Sequence, residues 1–238
     1  MNYISLNGIN SNEITGLLIQ YLPPISQPKI RTKIEEIDGR DGDVITKLGY
    51  SAYDKEITIG LYGDYNVDEV IAYFTNNQSG KVIFSNEEDK YYYYEIVEQI
   101  NFEKLIRFKT AVVKMHIQPF KYSSVEGAMT FSITDETSID ITNNGNYISK
   151  PIISIIGSGT IELILNDIQL FTIELGETPT PITIDIENMN AYNPTTDVFM
   201  NRLVTGDYNN FVLSVGRNVI SWTGDITQIS LDNYSRWI

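Results

Sequence analysis

The chain has 238 residues, 42% of them hydrophobic, enough to build one or two packed domains and too many for a disordered tail. The absence of cysteine excludes a disulfide framework, a thiolate metal site and a cysteine nucleophile, and suits a reducing cytosol. A formal net charge of −14 argues against a nucleic-acid grip, which needs Lys and Arg in place of phosphate counterions.

With 16 Tyr, 9 Phe and many Ile, Val and Thr, the composition favours pleated, half-buried surfaces over helices, so a mainly β chain is expected. The N-terminus has neither a basic lead nor an apolar run, and no stretch approaches the ~18 apolar residues of a membrane span. Neither secretion by a signal peptide nor membrane embedding is expected. The charge is uneven: residues 1–122 carry 13 Lys/Arg against 17 Asp/Glu, or −4, and residues 123–238 carry 4 against 14, or −10. A polyanion is therefore an unsuitable partner for the second half.

In chain order, Tyr3 to Leu6 reads as a strand closed by Asn7-Gly8, and Ile14 to Leu22 as another ended by Pro23-Pro24, which cannot donate into a ladder. Next, Ile30, Thr32 and Ile34 alternate with Lys29, Arg31 and Lys33, the pattern of a strand with one buried face. The charged run Glu35 to Asp43 follows, with Gly39 and Gly42 tolerating positive φ at a hairpin tip, and Val44 to Leu48 is the returning strand. Glu56 to Tyr62 alternates again.

The period then changes. Asn66 is an N-cap with Glu69 three residues on, and Val67, Val70, Ile71 and Phe74 share one helical face, which predicts a helix near 67–77 covering a sheet. Gly80 to Ser85 and Lys90 to Val97 flank the turn Asn86 to Asp89, and the four tyrosines Tyr91 to Tyr94 are expected to place two rings on each face. Phe102 to Phe108 and Thr110 to Gln118 complete the first domain without a second helix. His116, the only histidine, has no histidine partner for a metal and reads as structural.

Pro119 is expected to end a strand, with the domain junction at Phe120 to Gly127. Beyond it come nine short strands: Met129–Ile133, Ser138–Thr142, Pro151–Ile156, Thr160–Leu165, Ile168–Leu175, Ile182–Ile186, Phe211–Val215, Val219–Trp222 and Ile226–Leu231. That many strands in so short a segment argue for a two-sheet sandwich of jelly-roll type, with Asn188 to Asn210 looping over one end.

Paired carboxylates could hydrolyse glycosides, and Asp38, Asp41, Asp43, Asp185 and Glu187 are candidates, but none lies in the apolar, aromatic context that raises a catalytic pKa. Asp38 to Asp43 lacks the one, three, five spacing of a calcium loop and has Arg40 among the would-be ligands. No catalytic residue, metal site or cofactor is expected. The alternative to a structural role is sugar binding through stacking by Trp222, Trp237, Tyr192, Tyr208 and Tyr234.

Glu36-Ile-Asp-Gly-Arg-Asp-Gly42 with Gly49 and Lys55 to Leu61 resembles the N-terminal half of phage distal tail proteins, the Dit family of long-tailed phages. His116 to Tyr122 resembles the exit from that family's first domain, and Gly145 to Ile153 with Gly157-Ser-Gly159 the opening of its second. Gly206-Asp-Tyr, Val215 to Gly224 and Arg236-Trp-Ile238 resemble its C-terminal signature. The resemblance implies a β-barrel-like or split-sheet domain with one helix over 1–122, then a galectin-like sandwich over 123–238. It further implies a non-enzymatic hub at the distal end of a virion tail, assembled in the host cytoplasm. Six copies would ring a DNA channel and bind the tail tube protein and tail-tip proteins, with the second domain docking receptor-binding or baseplate proteins. A closed ring needs one patch to meet a different patch on the next copy. Gly39, Arg40, Asp41 and Gly42 are the candidates for one side.

Overall fold

In a computed structural model describing residues 1–238, the chain divides into two compact units, Met1–Ser124 and Val125–Trp237. The first contains β1 (Ile4–Leu6), β2 (Ile9–Asn10), β3 (Leu17–Tyr21), β4 (Ile30–Glu36), β5 (Asp43–Tyr50), β6 (Tyr53–Leu61), α1 (Val67–Asn76), β7 (Ser79–Phe84), β8 (Lys90–Glu95), α2 (Phe102–Phe108) and β9 (Thr110–Ser123). Its main sheet runs β2-β1-β7-β8-β9-β6-β3. Because side chains alternate along each strand, Ile57 and Ile59 of β6 and Val113, Met115 and Ile117 of β9 all reach one buried face. There they meet Val70 and Phe74 of α1. Asn66 caps α1 as its sequence predicts, its side chain accepting from the amides of Asp68 and Glu69. Asn77 closes the other end by donating to the Tyr73 carbonyl at 2.8 Å. Burying Phe74 contributes roughly 2–3 kcal/mol.

Two local expectations fail in this unit. Phe102–Phe108 is a second helix: Asn101 caps the Lys104 amide at 2.7 Å, Leu105 faces the core, and Lys109 adopts the left-handed conformation that stops it. Pro119 does not end its strand, since β9 runs on to Ser123. The ladder slips there, with Tyr92 opposite Lys121 and Tyr94 opposite Ile117, so a proline without an N–H falls at an irregularity where it is tolerated. The tyrosines keep two rings on each face: Tyr92 and Tyr94 enter the core, while Tyr91 and Tyr93 meet each other, at 5.5 Å between ring centroids, and Tyr122 on the opposite face, where Tyr91 is buried as well.

The second unit contains β10 (Met129–Ser132), β11 (Ser138–Asn143), β12 (Ile152–Leu165), β13 (Ile168–Glu174), β14 (Thr180–Asp185), β15 (Asn190–Tyr192), β16 (Val204–Gly206) and β17 (Gly216–Asp232). Two pairs of expected strands are each one long, bent strand. The first half of β12 pairs with β14 and its second half with β13, while β17 pairs with β11 early and β10 late. The two long strands pair with each other along both halves, with a break between Ser158 and Glu162. They therefore pass from one layer of a sandwich to the other. Ile153 and Ile155 from one half and Ile161, Leu163 and Leu165 from the other share one core.

Glycine makes the crossing possible. Gly224 has φ +86°, and a Cβ there would lie 2.2 Å from the Thr160 carbonyl oxygen, so the two bends approach too closely for any side chain. Phe211–Val215 forms no strand: Leu213 makes a single bridge to Ser149, Phe211 and Leu213 are buried in the core, and Val215 is exposed. The loop region Asn188 to Asn210 holds the short strands β15 and β16. No helix is long and apolar enough to cross a membrane.

Candidate functional site

The hairpin β4–β5 is a sheet of its own, hydrogen-bonded to no other strand. Ile34 pairs with Ile45, Thr32 with Lys47 and Glu36 with Asp43, so Ile34 and Ile45 lie on one face, flanked by Thr32 and Lys47 on one side and by Glu36 and Asp43 on the other. The sequence suggests that this face is buried, but Ile34 is 59% and Ile45 62% exposed, because nothing in the unit covers it. Ile37 and Leu48 are exposed as well. A two-stranded hairpin with an uncovered isoleucine pair has marginal stability alone, and that pair, rimmed by charged side chains, is a surface suited to a partner.

At the tip, Gly39 has φ +82° and Gly42 φ +76°, as the turn requires. The Arg40 amide donates to the Ile37 carbonyl at 3.1 Å. Arg40 makes no ion pair within the chain, although Asp38, Asp41 and Asp43 are close in sequence. The structure thus brings Gly39, Arg40, Asp41 and Gly42 together at one exposed end, with a guanidinium free for an external acceptor.

The root of this arm was not legible in the sequence. Residues 22–29, between β3 and β4, form a strap fastened at its carbonyls. Asn86 Nδ2 donates to Pro23 at 3.1 Å, Lys55 Nζ to Pro24 at 2.7 Å and the Tyr53 hydroxyl to Ser26 at 3.4 Å. The Ser51 amide donates to Lys29 at 2.8 Å, and Tyr50 meets Phe120 edge-on at 5.8 Å. Lys55 shares the core face of β6 with Ile57 and Ile59, which places an ammonium where the alternation puts apolar groups. It could have been noticed as a cation in phase with two isoleucines.

The remaining candidates are dispersed. Trp222 is only 4% exposed and Tyr234 is buried, so neither can stack on a sugar, and Tyr208 packs against Phe171 at 4.8 Å between ring centroids. Both oxygens of Asp185 are held by Asn188, and Glu187 pairs with the buried Arg236 at 2.9 Å. His116 lies on a half-exposed surface with its Nδ1 2.8 Å from Asp54. The His116 contact, followed by Lys114, holds the Asp54 carboxyl below its ordinary value.

No protein-family profile and no curated protein sequence matches the chain. Solved structures do. The crystal structure of the Dit protein of phage SPP1, described as a paradigm of the hub adsorption apparatus of phages infecting Gram-positive bacteria, superposes with a TM-score of 0.65 at 17% identity, covering 100% of both chains. A chain of the phage p2 baseplate in its activated conformation with strontium gives 0.55 at 12% identity over 97% of this chain and 96% of that one. The activated baseplate with calcium gives 0.52 at 10% identity over 100% and 98%. From its first strand to its last, the chain has the fold of the phage distal tail hub proteins.

Proposed function

We propose that this protein is a structural hub of a long-tailed phage tail tip, in which copies close into a ring between the tail tube and the tip or baseplate and leave a channel for DNA. The observation that carries this reading is the whole-length likeness to the SPP1 Dit hub, which spans both units without insertion of a further domain. Six copies is the number the resemblance implies. Residues 1–122 close the ring and residues 123–238 dock tail-tip, receptor-binding or baseplate proteins. The β4–β5 arm supplies one side of the contact between copies: its exposed apolar face meets a different patch on the neighbour, as a heterologous interface requires, and Arg40 reaches a carboxylate there. Residues 1–122, which close the ring, carry a net charge of −4, which leaves a wall without the cationic excess that would hold a passing polyanion.

Native mass spectrometry of the purified chain tests the reading. A hexamer is expected, alone or on addition of tail tube protein. A strictly monomeric species at tens of micromolar in the presence of tube protein would refute it.

A further inference from the structure

The charge of the arm's tip determines what it can meet. From Glu35 to Asp43 the tip carries Glu35, Glu36, Asp38, Asp41 and Asp43 against Arg40, a net −4, and every one of these side chains is exposed. Only Glu35 has a cation within the chain, Lys33 at 2.6 Å. Ile34, Ile37 and Ile45 are exposed beside these acids, so the complementary surface is cationic with apolar groups in it. Elimination finds such a surface among the first unit's cations outside the arm. Lys90, Lys114 and Lys121 each pair with a carboxylate, Lys55 is buried, and the Lys81 ammonium lies 4.4 Å from the centre of the Tyr91 ring. The remaining three, Lys104, Arg107 and Lys109, have no ion pair, and all lie on α2 or on the residue that stops it.

The same short helix shows apolar groups to solvent. Leu105 anchors it in the core, while Ile106 is 43% and Phe108 64% exposed, with the Arg107 guanidinium 5.8 Å from the Phe108 ring centre. Arm and helix sit at opposite ends of one ladder. The arm enters β6 at Tyr53, opposite Ile117, and α2 enters β9 at Thr110, opposite Gly60, roughly 23 Å further along the strands. A contact between the arm of one copy and α2 of another therefore joins two different patches, as a closed ring requires.

We propose that α2 is the patch that receives the arm of a neighbouring copy. The acids of the tip lie against Lys104, Arg107 and Lys109, the pair Ile34 and Ile45 covers Ile106 and Phe108, and Arg40 reaches Glu103 in the first turn of the helix. This assignment rests on the ring proposed above and names the missing half of its interface.

Because the chain has no cysteine, an introduced thiol reports the contact without background. A disulfide forms only where two Cα atoms come within about 7 Å. Full-length Asp41→Cys and Arg107→Cys chains, mixed and mildly oxidised, should become joined to each other, and both thiols on one chain should give a covalent ladder up to the full ring. Asp41→Cys mixed with Gly127→Cys, at an exposed glycine with open space around it in the second unit, is the control. If the wild-type chain assembles by native mass spectrometry and Asp41→Cys joins Arg107→Cys no more than Gly127→Cys, the receiving patch is overturned and the ring reading survives. A chain that never assembles, with or without tail tube protein, removes both. Charge reversal gives a second readout: Lys104→Glu/Arg107→Glu should raise the concentration for half-assembly roughly tenfold or more, and adding Asp38→Lys/Asp41→Lys should restore it. No loss, or a loss that the arm substitutions leave unrestored, also overturns the proposal.

Discussion

The exposed face of the arm gives the sharpest test of how copies associate. Fully burying an isoleucine is worth roughly 1.5–3 kcal/mol. Because Ile34 is 59% and Ile45 62% exposed in the isolated chain, more than half of that remains to be gained when a neighbour covers them. Together they amount to roughly 2–4 kcal/mol at each contact. The double substitution Ile34→Thr/Ile45→Thr keeps β-branching at both positions, so the strands retain their stiffness and pairing. It forfeits roughly 2 kcal/mol per contact, or about thirtyfold in each contact's dissociation constant. The melting temperature of the monomer should barely move, since surface substitutions of this kind stay within about 0.5 kcal/mol. Sedimentation velocity across a dilution series reads the outcome: ring and monomer should exchange dominance at a higher concentration than in the wild-type chain. If the variant assembles at the same concentrations as wild type, the apolar face of the arm is not buried between copies and the interface lies elsewhere.

Other substitutions probe the tip and the two cores. Arg40→Ala should leave the melting temperature unchanged and weaken assembly by roughly 2–5 kcal/mol per contact if the guanidinium is desolvated against a carboxylate, as native mass spectrometry on dilution would show; unchanged assembly would reduce the tip to a solvated turn. Gly42→Val has open space for its side chain but forces a β-branched residue to φ +76°, so it should loosen the hairpin itself, seen as faster amide exchange in β4 and β5. Gly224→Ala should destabilise the second unit by roughly 3 kcal/mol or more in thermal denaturation, while Gly216→Ala, equally left-handed at φ +91° but with nothing within 4 Å, should cost only about 1 kcal/mol; equal losses would mean that the close approach of the two bends is unimportant. Tyr92→Phe removes a buried donor from Glu87 and should cost about 1–3 kcal/mol in chemical denaturation, and a neutral result would show that Lys121 alone satisfies the carboxylate.

What the sequence determined by itself is local chemistry with a clear period. The alternation of Ile57 and Ile59, the Asn66 cap with its apolar helical face, and the glycines of the arm's tip each state their own conformation, because propensity, pattern and turn requirement agree over a few residues. The sequence is silent on what covers each face. Ile30, Thr32 and Ile34 alternate as a buried strand would, and only the finding that no third strand pairs with β4 or β5 turns that face into an exposed one. The same pattern misleads at Phe211–Val215, where Phe211 and Leu213 are buried outside any strand and Val215 is exposed, and hides Lys55, whose ammonium sits over a core face because aromatic rings and a distant strap carbonyl accept it. The continuity of β12 and β17 through Gly157–Gly159 and Gly224 likewise belonged to tertiary structure. A glycine reads as a stop in one dimension, and only the partner strand shows that it is a bend at which two backbones approach to the distance of a missing side chain.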